Sequence, residues 1–445
     1  MHRLSLAILV GVAACSDTIV VGDLQEVNSF KAIPNPNLDI LFVVDNSESM
    51  TDQQVALANN FPLMMDVLAQ LDGGLPNLHI GIVTSDMGTS GSNSSTPAPS
   101  VGVIGQGGCI GFGDNGALQF ANAPGLTGTF ISDISDGAGS RVRNYTGELR
   151  DVFSQIALVG EHGCGFEQHL AAMHRSFANP ANAGFLRPEA NLAVIVIADE
   201  DDCSILDPSF FNQAAQGTLK SFNCTHHGVR CAPDMDSLGP KTDCEPRADS
   251  LLVSDVQPFV DSLVALKQDA RYVMVAGIVG DPTPVAVQLD TTNGETSPML
   301  APSCTFAGAS GPELADPAIR LSAFLDAFPG RSQLTSICSA DLSSPLLAIG
   351  ATAKKLVGDP CLDTSTLADS SPADGIQPAC EILDVRDSAP DAPTALPACD
   401  AGTSDCYELV ADAQACPASE DHLRVRFRRT VVTDDTWTSV RCQLR

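Results

Sequence analysis

The chain has 445 residues, and its 24 Lys+Arg against 54 Asp+Glu leave a formal charge of −30. That length predicts two or three domains, and a hydrophobic content of 44% supplies cores that a disordered acidic chain lacks. The acidic balance argues against nucleic acid or an anionic lipid surface as the main partner, and 5% aromatic residues argue against a base- or sugar-stacking platform.

His2 and Arg3 precede an apolar run, Leu4 to Val12, that ends in Ala13-Ala14-Cys15. This is the layout of an export signal, and the run is too short for a permanent membrane span. A cysteine directly after Val12-Ala13-Ala14 resembles the lipobox of bacterial lipoproteins, in which that cysteine is diacylated and becomes the new N-terminus. An ordinary secretory signal with a chance cysteine is the alternative. Ser16 follows the cysteine and an aspartate comes only at Asp17, which by resemblance to enteric sorting favours the outer membrane. The expectation is attachment to the bacterial envelope through Cys15 alone, facing the periplasm or the cell surface. Removing Cys15 from the 15 cysteines leaves 14, eight from Cys109 to Cys338 and six from Cys361 to Cys442. Both counts are even, so each part can close its own disulfides, as an exported chain allows.

Residues 16–36 read as a polar tether. Leu38 to Val44 is a nearly continuous apolar run suited to a strand buried on both faces. Thr51 or Asp52 can start a helix with Leu57, Phe61, Met65, Leu68 and Leu71 on one face, which Pro62 should kink or restart. A strand over 78–84 follows. Residues 86–146 hold 13 of the 36 glycines and read as a long surface insertion with room for a small hairpin. Helices near 147–158 and 166–177 lead to a second buried strand, Asn191 to Ala198. Residues 203–250 form a cysteine-rich insertion. A helix over 253–268, a strand over 272–279 and a helix over 343–357 close the domain. This alternation predicts an α/β fold, a doubly wound and mostly parallel sheet. From about Asp359 the texture changes to Pro, Asp, Ala and six cysteines, a small disulfide-rich β module.

The strand 38–44 runs into Asp45-Asn-Ser47-Glu-Ser49. Ligand sites in such sheets form outside the carboxyl ends of strands, and one carboxylate with two hydroxyls on a tight loop suits a hard divalent cation. Asp-x-Ser-x-Ser after an apolar strand resembles the first loop of the metal-ion-dependent adhesion site in von Willebrand factor A (VWA) domains. Asp199, at the end of the strand 191–198, matches the family's downstream metal-site aspartate. The segment Gly163 to Leu170 stands where the family places a threonine-bearing loop, but Cys164 occupies the threonine position, and Glu167 is the residue that can substitute a carboxylate. The resemblance implies a VWA-like domain over 37–358 and leaves 359–445 as the separate cysteine-rich module. Gly-Cys-Gly-Phe-Glu (163–167) and Asp-Glu-Asp-Asp-Cys-Ser (199–204), with the lipobox, also resemble a group of bacterial VWA-type lipoproteins.

Three functional readings follow. The first is a non-enzymatic binding protein in which Asp45, Ser47, Ser49, Asp199 and Glu167 hold Mg²⁺, Mn²⁺ or Ca²⁺. An acidic group of a protein or glycan ligand then completes the ion's oxygen shell. The second is a structural envelope module whose cation only ties loops together, which Cys164 favours. The third is a phosphatase-like hydrolase with Asp45 as nucleophile; Ser47 stands where that chemistry wants a second carboxylate, and Lys267 precedes its strand. Of the run Asp199 to Asp202, the last three residues are either an outer shell or Ca²⁺ site, or solvated loop charges. His162, His169 and His174 fit no zinc spacing. His226 and His227 between Cys224 and Cys231 read as part of a disulfide loop rather than a zinc site. Six arginines from Arg424 to Arg445 form a basic stripe, either balanced by nearby acids or open to an anionic polymer.

Overall fold

The computed structural model of the chain describes residues 25–71, 73–120, 123–291, 296–308, 311–339, 341–358, 361–362, 364–369, 377–400, 402–413, 416 and 421–445. The signal segment and Cys15 lie outside the described residues.

Strand β1 (Gln25–Lys31) falls within the stretch read as a tether. It is followed by β2 (Asn37–Val44), α1 (Thr51–Leu68) and β3 (Asn77–Thr84). Helix α1 continues through Pro62 without restarting, because Phe61, Met64, Met65 and Leu68 around it are all buried in the core. The glycine-rich stretch ends in a hairpin, β4 (Ile131–Ser135) and β5 (Arg141–Arg143), and this hairpin is no surface appendage. β4 pairs antiparallel with β3 and so extends the main sheet, while buried Asp133 ties the hairpin to Arg141, Arg143 and Tyr145. Then come α2 (Leu149–Ala157), α3 (His169–Ala178) and β6 (Asn191–Ile197). The cysteine-rich insertion forms two short helices, α4 (Gln213–Gln216) and α5 (Phe222–Gly228), and a hairpin, β7 (Val229–Ala232) with β8 (Gly239–Pro246). Helix α6 (Gln257–Lys267) leads into β9 (Val273–Val279).

Four short strands follow, β10 (Val285–Asp290), β11 (Ser297–Leu300), β12 (Cys304–Ala307) and β13 (Pro312–Ala315), outside the central sheet. Helix α7 (Ile319–Asp326), edge strand β14 (Ser332–Ser336) and α8 (Ser343–Val357) complete the domain. The central sheet runs β14-β9-β6-β2-β3-β4-β5, parallel from β14 to β3 and antiparallel at the hairpin edge. Alternation along β2 shows why its sequence is apolar throughout. Leu38, Ile40, Phe42 and Val44 pack with α1, α2 and α8, whereas Leu41 and Val43 pack with α3, α6 and α7. Each such side chain contributes roughly 1.5–3 kcal/mol on burial.

The C-terminal module contains β15 (Cys361–Leu362), β16 (Cys380–Arg386), β17 (Ala389–Ala395), β18 (Cys406–Ala411), β19 (Leu423–Arg428) and β20 (Thr436–Gln443). One sheet is ordered β1-β20-β16-β17 and the other β15-β19-β18. Residues 25–31 are therefore a strand of this module, and Phe30 packs in its core with Leu362, Ile382, Val425 and Val440. All fourteen cysteines after Cys15 pair, as 109–164, 203–224, 231–244 and 304–338 in the first part, and 361–416, 380–442 and 399–406 in the second. Four of the six arginines of the stripe meet acids within the module: Arg426 and Arg428 meet Glu408, Arg424 lies near Asp412, and Arg429 forks onto Asp384. No helix among the described residues is long and apolar enough to cross a membrane. Seven disulfides are the chemistry of an oxidising, extracytoplasmic compartment.

Candidate functional site

Parallel pairing in register places Val44 beside Ile197, so the residues just beyond, Asp45 and Asp199, leave the sheet at the same edge. The Asp45 amide donates to the Ile197 carbonyl at 3.0 Å, holding the first residue of the loop on the sheet. The Asp45 carboxylate is fully buried, and its Oδ1 accepts the Ser47 amide at 2.7 Å, which turns the chain. Gln54 on α1 donates to the Asp45 carbonyl. The hydroxyls of Ser47 and Ser49 lie 2.9 Å apart at the mouth, with Ser49 exposed. Asp199, 3% exposed, lies near Ser49, which acts to lower its pKa against the larger upward push of burial. The site thus has a buried carboxylate floor under a hydroxyl-lined opening.

A third loop covers one side. The Gly163 amide donates to the Asn46 carbonyl at 2.9 Å, and a Cβ at Gly163 would stand 2.2 Å from Asn46 Oδ1, so a larger residue there would have to displace the Asn46 side chain. Cys164 is bonded to Cys109 and pins the loop to the glycine-rich segment, where it can offer no hydroxyl. Past this anchor Glu167 and His169 turn inward, 2% and 0% exposed.

The electrostatics are those of concentrated negative charge. Burial, then the charges of Glu200 and Asp45, push the Glu167 carboxyl well above the usual range; burial, then Asp45 and Glu200, do the same to Asp199. Burial also raises Glu200, whose carboxyl hydrogen-bonds Glu167, and lifts Asp316 to about 7. For His169 burial acts downward, but its interaction with Asp45, helped by Asp202 and Asp201, raises it on balance. Asp45 Oδ2, Glu167 Oε1 and Asp199 Oδ1 are buried with no hydrogen-bond partner, as are both ring nitrogens of His169. Orphaned buried polar atoms are rare, since each costs about 1–3 kcal/mol. Among the described residues, no three His, Cys, Asp or Glu side chains form a metal cluster on their own. The convergent donors here include the two serine hydroxyls, and this oxygen set fits a hard divalent cation.

Of the sequence-derived metal-site residues, Asp45, Ser47, Ser49 and Asp199 lie at this edge, and Glu167, on the third loop, feels the charges of Glu200 and Asp45. Asp201 and Asp202 do not join them, and neither of their alternatives holds. Asp201 accepts the amides of Arg320 and Leu321 at the start of α7, and Asp202 takes the Arg320 guanidinium at 3.0 Å and the Leu170 amide at 2.9 Å. Both are buried structural anchors, with burial lifting Asp201 to about 6. Lys267 lies at the opposite end of β2, against Asp39 and Arg187. His162 and His174 are exposed. His226 meets Asp236 and His227 meets Gln216, while the flanking cysteines are in disulfides. His169 is the site residue that spacing did not reveal; its sole signal is its position two residues after Glu167.

The strand order, the antiparallel edge and the Asp45 and Asp199 loops at the carboxyl ends of β2 and β6 settle the fold class. It is α/β, with a central sheet that is parallel except at its hairpin edge. No family model matches the sequence, and no curated protein matches it. Among solved structures, the chain is similar to the pilus adhesin SpaC from Lactobacillus rhamnosus GG in its open conformation, at 10% identity and a TM-score of 0.30 over 94% of this chain and 40% of that one. The pilus adhesin RrgA from Streptococcus pneumoniae matches at 10% identity and 0.29, over 94% and 57%. The human COPII-coat protein Sec24c matches at 9% and 0.31, over 94% and 42%. The chain thus spans about half the length of the solved structures it matches.

Proposed function

We propose that the VWA-like domain is a non-enzymatic, cation-dependent binding module on the bacterial envelope, tethered to the outer membrane through a lipid on Cys15. Its ligand is a protein or glycan carrying an acidic group. The observation that carries this reading is the set of unpartnered buried oxygens of Asp45, Glu167 and Asp199 beneath the Ser47 and Ser49 hydroxyls. A divalent cation, when bound, supplies the positive charge that set lacks and keeps one position for an outside oxygen. Asp45 and Asp199 would hold it from the floor, Ser47 and Ser49 from the mouth, and Glu167 from the side. Because the serines lie at the surface, the open position faces solvent, where a ligand carboxylate can enter.

The test is thermal unfolding of the oxidised, signal-free protein in EDTA, Mg²⁺, Mn²⁺ or Ca²⁺, beside Asp45→Ala. An ion present at 100 times its Kd adds about 2.7 kcal/mol to the wild type and nothing to the variant. No shift with any ion sinks the reading. The Cys109–Cys164 disulfide supports a second reading, in which the cation only ties the loops together. A cation shift that no acidic ligand analogue perturbs would select that one.

A further inference from the structure

The cysteine-rich insertion, which the binding reading does not use, frames an open cleft of about 860 Å³. The Cys203–Cys224 and Cys231–Cys244 disulfides hold this frame, and the Leu206 amide donates to the Leu252 carbonyl at 2.8 Å, joining two of the walls. Most charged groups of the lining already have partners. Asp249 meets Arg230 at 2.9 Å, and Asp207 accepts the Ser209 amide and the Asn93 side-chain amide. His227 shares Nε2 with Gln216 at 3.1 Å; burial, then His226 and Arg247, hold its pKa down at about 4, so it is uncharged at pH 7. Arg247 is the exception. Its Nε is buried without a hydrogen-bond partner, and among the described residues no carboxylate forms an ion pair with its guanidinium. An unclaimed guanidinium stands out on a chain with 54 acidic and 24 basic residues. Leu251 in the same lining is 81% exposed, and Leu206 and Leu252 extend the apolar wall.

We propose that this cleft binds a monocarboxylate with an apolar body, its carboxylate on the Arg247 guanidinium and its body along Leu206, Leu251 and Leu252. A concave, largely apolar wall with one convergent charged group is how small-ligand sites are built, and a planar guanidinium takes a carboxylate in a two-pronged, charge-assisted pair. The charges of the cleft decide against a phosphate or sulfate dianion. Asp207 and Asp249 line it, Arg230 is held by Asp249, and one unclaimed guanidinium balances one negative charge. The leucines decide against a small polar acid, because a ligand that covers them removes their apolar surface from water. A free fatty acid and the C-terminus of a leucine-ended peptide share this chemistry. The inference is independent of the cation site.

The experiment is calorimetric titration of the oxidised, signal-free protein in EDTA, with octanoate, N-acetyl-leucyl-leucine, its amide, 1-octanol, acetate and sulfate as probes. The expected result is that octanoate or acetyl-leucyl-leucine binds about tenfold or more tighter than the amide, 1-octanol, acetate or sulfate. The tighter of the two identifies the source, a fatty acid or a peptide C-terminus. Arg247→Gln, confirmed folded by circular dichroism, should weaken that probe about tenfold or more, and Leu251→Ser about threefold to tenfold. Equal affinity for 1-octanol or the amide overturns the carboxylate assignment, and sulfate binding tighter than octanoate overturns the single-charge argument. Binding of no probe overturns the site. The probe series uses the wild type, so it decides even where a variant fails to fold. Because EDTA removes divalent ions, none of these outcomes bears on the cation site.

Discussion

The Arg271 guanidinium lies 4.0 Å from the centroid of the Trp437 ring, joining the central domain to the C-terminal module. Arg271 also bonds Asp269 and Asp387, the Trp437 Nε1–H donates to Asp387 at 3.1 Å, and Tyr272 meets the indole edge-on. Lys31, at the end of β1, covers the same ring at 4.7 Å. Trp437 is the single tryptophan of the chain and is 3% exposed, so its fluorescence reports on this junction. Trp437→Phe, which loses the hydrogen bond and weakens the cation–π contact, is expected to cost about 1–3 kcal/mol in urea unfolding. In the wild type, fluorescence and far-UV dichroism should share one midpoint; separate midpoints would show that the junction does not couple the two parts.

Glu167 carries a pH prediction. Its folded pKa is raised, so the folded state keeps a proton that the unfolded state has released. That contribution is fully present below the unfolded value and is lost as pH rises through the folded one. Glutamine mimics the neutral acid. In EDTA, Glu167→Gln and wild type should be equally stable near pH 4, and the variant measurably more stable at pH 8. With saturating cation the order reverses, since the variant has lost an anionic donor. Equal stability at both pH values without cation would contradict the buried-charge account.

Lys267 behaves in the opposite sense at the other end of β2. Burial holds its pKa down at about 8, although Asp39 acts to raise it. Between about pH 8 and 10 the unfolded state binds more protons than the folded one, so stability rises with pH. Chemical unfolding of wild type against Lys267→Met should show the wild type gaining about 2 kcal/mol on the variant from pH 7.5 to pH 9.5. A flat difference would mean that the ammonium is well solvated despite its surroundings.

The Cys109–Cys164 bridge closes 55 residues of chain and fastens the loop that carries Glu167 and His169. Replacing both cysteines with serine is expected to cost about 2–4 kcal/mol. It should also weaken cation binding, as the 163–169 loop loses its anchor beside Asn46. Calorimetry of both proteins at equal cation concentration checks this. Unchanged affinity would show that Gly163 packing alone positions the loop.

Much of this site could be read from the chain because its parts are local. Asp45, Ser47 and Ser49 follow one apolar strand at fixed spacing, Asp199 ends another, and parallel strands in register bring both ends to one edge. The parity of the cysteines likewise anticipated two independently closed sets. His169 was not legible, because nothing in its neighbours' identities says that a helix start will aim its ring at Asp45.

Composition and period determined by themselves that this chain builds buried parallel strands, since a strand covered on both faces must be apolar at every position. Tertiary structure alone decided the rest. Residues 25–31 look like a polar leader until β20, more than 400 positions away, offers them a partner. Strand β14, Ser-Gln-Leu-Thr-Ser, has no apolar alternation because it lies at an edge. Asp201 and Asp202 look identical to Asp199 in sequence, yet Arg320 and the start of α7 claim them for the scaffold. Whether a carboxylate is a ligand or an anchor depends on which donors the fold brings to it, and the Arg320 and Leu321 donors lie more than 100 residues away.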